Sequence, residues 1–301
     1  MLTKRASPKL AGKPQDDIRS LLETISQTEL RQWVERLAVP RHYICEPEEN
    51  ESIALWLAAQ LQSWGYQVEF QGEWRNVIAL PKNFSNPLVL VGAHYDSVGG
   101  CPGADDNASA VAALLACAKA CSIRKPAPSI CFVSFNREED NLLGSRDFVQ
   151  SLDTQAKFEI ECAHILEMVG FASDQPGTQR IPPGLPVRVP DTGNFLGLLA
   201  NRDANGILDQ TLASTSTYLP HLTVIGLRVT LGLEKHFPVL LRSDHAPFWQ
   251  KKIPAVMWTD TSEFRNPFYH QPGDKPHTLN YRFLRTVTQA LAASVLDQGS
   301  Q

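Results

Sequence analysis

The 301-residue chain contains no run of roughly 18 continuous apolar residues, so no membrane-spanning helix is written into it. Lysine and arginine never stand more than two in a row, and the net charge is −4. A nucleic-acid surface and an anionic membrane are therefore not expected as partners. The opening "MLTKRASPKLAGKPQDD" lacks the apolar core, roughly 7 to 15 residues long, of a secretory leader, and residues 1–15 read as a flexible arm. The six cysteines never adopt a C-x-x-C spacing, which excludes a cysteine zinc site. Cys117 and Cys121 sit four apart in a helical pattern and read as small buried hydrophobes. Unpaired cysteines and no leader together predict a reducing, cytoplasmic setting.

What the chain does have is a hydrophobic share of 43%, distributed as alternating strand and helix patterns. Apolar positions at helical spacing predict one helix from Ile18 to Val39 and another over "ESIALWLAAQLQSWG". "QVEF" and "NVIAL" read as short strands, and "PLVLVGAHYD", "SICFVSFNREED" and "CAHILEMVGF" as core strands. Helices are predicted over "ASAVAALLACAKACS" and "LLGSRDFVQSL". Residues 172–193 form a long loop, followed by the strand "FLGLLAN" and the helix "ANGILDQTLAST". "RSDHAPFWQKK" opens a helix, "IPAVMWTDT" is a strand, and a final helix covers about Leu279 to Leu296. The alternation predicts an α/β fold: a single domain over residues 16–301, with a mostly parallel, mixed central sheet flanked by helices. Apolar runs without polar alternation suit strands covered on both faces.

In open α/β sheets, ligands bind beyond the carboxyl ends of the strands. The core strands of this chain end in His94, Asp96, Asp105 and Asp106; in Glu138 and Glu139; in Glu167; and in "NPFYH" with His270. Histidines and carboxylates of this kind suit zinc, or manganese or cobalt. A pair of divalent ions needs a bridging carboxylate and about two further ligands each. His94, Asp106, Glu139, Glu167 and His270 supply that set. Glu138 is left free to act as a general base.

Taken together, "GAHYDS…PGADDNAS…NREED…LEMVG…RSDHAPF…NPFYH" resembles the co-catalytic zinc aminopeptidase family, which includes aminopeptidase Y, glutamate carboxypeptidase II and the animal glutaminyl cyclases. The resemblance covers roughly residues 50 to 300. It implies a zinc-exopeptidase-like fold and two zinc ions, with His94, Asp106, Glu139, Glu167 and His270 as ligands and Asp106 bridging. By the same resemblance Asp96 orients His94, and Glu138 is the base for a water shared by the two ions. Tyr269 then assists at the oxyanion, and a cis peptide follows Asp106. Ala110 departs from a position that is often glycine, and Glu167 from one that is often aspartate. Asp105 has no assigned role, and "RSDH" (Arg242 to His245) braces the site, with Ser243 or Asp244 as helix cap. His164, His221, His236 and His277 fall outside the pattern.

The implied activity is hydrolysis of peptides or amino-acid conjugates, most directly by an aminopeptidase. Two alternatives stand beside it: a glutaminyl cyclase-like acyltransferase with one zinc, and a non-catalytic binding domain of the same fold. Residues from about Phe171 to Leu241 border the pocket. Arg188, Arg202 and Arg242 could each recognise a substrate carboxylate. The oligomeric state is not legible.

Overall fold

The apolar run ahead of His94 is a strand, Leu88–His94, with all 7 residues buried. In the computed structural model, which describes residues 1–154 and 157–298, it lies inside a 9-stranded sheet. In chain order the strands are β1 (Leu2–Arg5), β2 (Gln67–Gln71), β3 (Asn76–Leu80), β4 (Leu88–His94), β5 (Ile130–Phe135), β6 (Ile160–Glu167), β7 (Leu196–Ala200), β8 (Val224–Arg228) and β9 (Ala255–Thr259). Their spatial order is β1-β8-β7-β9-β6-β4-β5-β3-β2. The inner strands β9, β6, β4 and β5 are mutually parallel. The mixed character comes from β2, β3, β7 and β1, each antiparallel to a neighbour. Four parallel neighbours bring their carboxyl ends to one edge, which positions the site.

Alternate residues of β4 enter opposite cores, as the two-residue period of a strand requires. Val89, Val91 and Ala93 join helices α1 (Asp16–Glu23), α2 (Gln27–Leu37), α3 (Pro47–Ser63), α4 (Ala110–Ile123), α6 (Asn205–Tyr218) and α8 (Tyr281–Gln298) on one face. Leu88 and Leu90 pack on the other face with side chains of α5 (Leu143–Ser151) and α7 (His245–Gln250). Each aliphatic side chain so buried contributes about 1.5–3 kcal/mol.

Two expectations are corrected. The helix expected over residues 18–39 is two helices, because Ser26 caps α2 by accepting from the Glu29 backbone N–H. The pattern S-x-x-E is a helix-start signal that outranks continuous apolar periodicity. Residues 2–5, expected in a flexible arm, form β1, paired antiparallel with β8 from Leu2↔Arg228 to Arg5↔Ile225. Their sequence, LTKR, has too little apolar alternation to announce a strand. β8 was likewise not read from the sequence. The domain span expected to residue 301 passes beyond the described residues at 299–301.

The parallel face also holds a buried imidazole remote from the strand ends. His164 Nδ1 accepts from the Trp258 indole N–H at 3.1 Å, and Nε2 stands 2.9 Å from Gln298 Oε1. Burial pushes its pKa down to about 4, so the folded protein keeps it neutral while the unfolded chain takes up a proton below about pH 6.5. Stability is thus intact above pH 6.5 and is lost as pH falls towards 4, by roughly 3 kcal/mol in full. Urea unfolding midpoints measured across that window should fall less steeply in His164→Gln than in the native protein. An unchanged acid slope would remove His164 as the cause.

Candidate metal centre

Each strand end delivers one part of the site. His94 is the last residue of β4 and Glu167 the last of β6. Glu138 and Glu139 follow β5, and His270 lies in the loop after β9. Asp106 comes from the turn 104–109 ahead of α4. That turn starts at Gly103, with φ 57°, where a Cβ would lie 2.1 Å from the Asp106 carbonyl oxygen. Only glycine permits this reversal. The Asp106–Asn107 peptide is cis, as the resemblance implies.

Asp106 faces a different imidazole with each oxygen. Oδ1 is 3.4 Å from His94 Nε2, and Oδ2 is 3.2 Å from His270 Nε2. Glu167 Oε2 is 3.5 Å from His94 Nε2, and Glu139 Oε2 is 3.3 Å from His270 Nε2. These separations are long for charge-assisted hydrogen bonds. They match the edge of a ligand tetrahedron, which is roughly 3.3–3.4 Å when zinc lies about 2.0–2.1 Å from each donor. Both buried nitrogens of His94 lack a hydrogen-bond partner, as does Glu139 Oε1. Buried polar atoms are seldom left so; a cation would satisfy Nε2, which faces Asp106 and Glu167, whereas Nδ1 faces Asp96. The donor set therefore fits divalent metal.

Ligand atoms of His94, Asp106 and Glu139 lie within 4.8 Å of one another, and so do those of His94, Glu138 and Glu167. Of the three carboxylates within 4.0 Å of His94 Nε2, Glu138 is the farthest, at 3.9 Å. Burial pushes Glu138 well above the usual carboxylate range, with Glu167 and Glu139 adding to the effect and His94 opposing it. Burial and the Asp106 charge raise Glu139 to about 7. Burial would raise Asp106 too, but the two imidazoles hold it below the usual range. His270 shows the converse balance: burial lowers it, yet Asp106 and Glu139 lift it to about 10.

Asp96 braces two parts at once. Its Oδ1 stands 3.3 Å from His94 Nδ1, and its oxygens accept the backbone N–H groups of Glu138 at 3.2 Å and Glu139 at 3.3 Å. A carboxylate behind a ligating histidine fixes the ring and raises its basicity. Asp96→Asn should weaken metal affinity about 10- to 100-fold, read by competition with a chromophoric chelator. Native affinity in that variant would reduce Asp96 to a loop cap.

Several bracing residues were not read from the sequence. Asp105, unassigned there, accepts the Gly170 N–H at 2.9 Å and an Asn266 side-chain N–H at 2.7 Å. Asp274 accepts the backbone N–H groups of Asp105 and Asp106. Asn107 bonds across to Leu166 and Met168, either side of Glu167. The fully buried Arg41 donates to the carbonyls of Tyr95, Val39, Pro102 and Gly103, clamping the loop that carries Asp96. Asn50 and Asn136 exchange hydrogen bonds at 3.0 and 2.9 Å just before Glu138. Single polar residues far apart in sequence carry no local signal; only the fold brings them together.

The remaining candidates sort by contact. Ser243 donates to Glu167 Oε2 at 2.6 Å, while His245 Nε2 lies 2.9 Å from the Leu240 carbonyl. Neither Ser243 nor Asp244 caps α7 with its side chain; the "RSDH" block braces instead through Ser243. Tyr269 stacks on His270 with ring centroids 3.7 Å apart, and its oxygen accepts an N–H from Arg242 at 2.8 Å. Of Arg188, Arg202 and Arg242, only Arg242 lines the cavity at the site, and it is ion-paired to Glu263. His221, His236 and His277 are exposed.

The chain is similar to several known proteins. The profile of Peptidase family M28 matches residues 76–295. The uncharacterized protein YfbL of Escherichia coli K12 is 34% identical over 235 residues, which is 73% of this chain and 70% of that protein. Aminopeptidase YwaD of Bacillus subtilis is 28% identical over 232 residues, 74% of this chain but only 44% of the relative. The LapA aminopeptidase of Legionella pneumophila has the same fold, with a TM-score of 0.77 at 19% identity over 97% of this chain and 78% of that one. No helix among the described residues is long and apolar enough to cross a membrane.

Proposed function

The chain belongs to peptidase family M28, and from that premise we propose that it is a two-zinc aminopeptidase acting on peptides or amino-acid conjugates. The observation that carries the reading is Asp106, whose two oxygens face His94 and His270 separately. A single carboxylate between two imidazoles, each with a further carboxylate beside it, is a donor set for two ions. His94 and Glu167 would hold one ion, Glu139 and His270 the other, and Asp106 both. Bound there, zinc (or manganese or cobalt) would supply Lewis acidity and make water acidic enough to deprotonate near neutral pH.

The chain's own residues then do the rest. Glu138, buried beside the proposed ligands and the carboxylate left over from that set, takes the proton of the attacking water and later delivers it to the leaving amine. Tyr269 has its oxygen occupied by the Arg242 N–H, so its own O–H is free to donate to the developing oxyanion. Burial, with Asp106 adding to it, raises the Tyr269 pKa and keeps that proton in place for donation to developing negative charge.

Metal counting, paired with assays on aminoacyl anilides and N-terminal glutaminyl peptides, tests the reading. Two ions per chain with anilide hydrolysis are expected. One ion, with glutaminyl peptides cyclised and anilides untouched, would establish the acyltransferase instead. Inertness of the metal-loaded protein towards both would leave a binding domain.

A further inference from the structure

A cavity of about 480 Å³ opens at the metal ligands and runs away from them under the other half of the sheet. That size belongs to pockets that hold whole drug-sized ligands, far beyond the needs of one leucine side chain. Its floor is a row of register partners: Met257 on β9 lies opposite Leu199 on β7, Leu199 opposite Leu227 on β8, and Leu227 opposite Thr3 on β1. All four line the cavity. At about 4.8 Å per strand the row spans roughly 14 Å. Met257 and Leu227 are only half-buried although they sit within strands of the sheet, because this face carries a cavity where others carry a helix. The roof includes Val187 and Leu240, and beside the row Gly197 adds depth by having no side chain. Arg146, Arg180, Arg242 and Glu263 also line it; Arg242 pairs with the Glu263 carboxylate, and Arg180 donates to the Glu263 backbone carbonyl. No residue of the row is charged.

We propose that this trough takes an extended apolar side chain on the N-terminal residue of the substrate, longer than that of leucine and laid across β9, β7 and β8 towards β1. The assignment to the acyl side rests on the aminopeptidase reading. A leaving peptide can have any length and must reach solvent, whereas the N-terminal residue is the finite end and can finish in a roofed trough.

The test has two arms. The first measures kcat/KM for anilides of alanine, norleucine, 2-aminooctanoate and 2-aminododecanoate. A rise of roughly three- to fourfold per added methylene, continuing past norleucine, is expected. The second measures the Tm shift produced by the free forms of the same amino acids and needs no turnover. Met257→Trp, and Thr3→Trp on the exposed edge strand, should each flatten both chain-length series. If anilides are cleaved but long chains bring no gain in either arm, the pocket proposal falls and the aminopeptidase stands. If no anilide is cleaved, a Tm shift that grows with chain length and is flattened by both variants upholds the trough. An absent or unflattened series overturns it.

Discussion

Replacing Glu138 by glutamine is expected to lower kcat by about 10²- to 10⁴-fold while leaving KM, metal content and Tm near those of the native enzyme. The substitution preserves volume and one oxygen but removes the ability to accept and return a proton. Of the three carboxylates within 4.0 Å of His94 Nε2, Glu138 stands farthest off, and the proposed donors His94, Asp106, Glu139, Glu167 and His270 are all left intact by the substitution. The signature is the split: turnover lost, metal retained. Full activity in the variant would end the assignment of Glu138 as base, and loss of metal would make it a ligand.

Replacing Asp106 by asparagine should have a larger and different effect. An amide has a single ligating oxygen where the carboxylate has one towards His94 and one towards His270, so at least one ion per chain should be lost. Activity should fall roughly 10³-fold or more, since metal stabilisation is worth several kcal/mol at the transition state. The rise in Tm on returning zinc to chelated protein should shrink with it, because a ligand stabilises only the state that binds it. The backbone of the turn should persist, since Asp274 holds the N–H groups of residues 105 and 106. A variant that keeps two ions and native activity would remove Asp106 as the bridge.

The proposed ligands could be picked out in the sequence because most stand at or just after the end of an apolar strand and because motif spacing supplies order. The parallel centre was legible for the same reason: β4, β5 and β6 are near-continuous apolar runs. The edges were not. β1 is four residues of mixed polarity that form a strand only because β8 offers unpaired backbone. The break between α1 and α2 depends on one serine hydroxyl, a signal two residues wide against a periodicity of twenty. Arg41, Asp274 and the Asn50–Asn136 pair act across separations such as the 168 residues between Asp274 and Asp106. A contact of that range leaves no trace in local pattern.

The sheet order has a consequence for how such an enzyme could diversify. The groups proposed for the chemistry hang from the ends of β9, β6, β4 and β5 and from the turn ahead of α4, whereas the proposed trough is built on β9, β7, β8 and β1. Only β9 serves both, and it feeds the first through the loop beyond its end and the second through a side chain on its face. Substitutions in one half need not disturb the other. An inherited chemistry can therefore be kept fixed while the selecting half drifts, or is exchanged by design, one register position at a time.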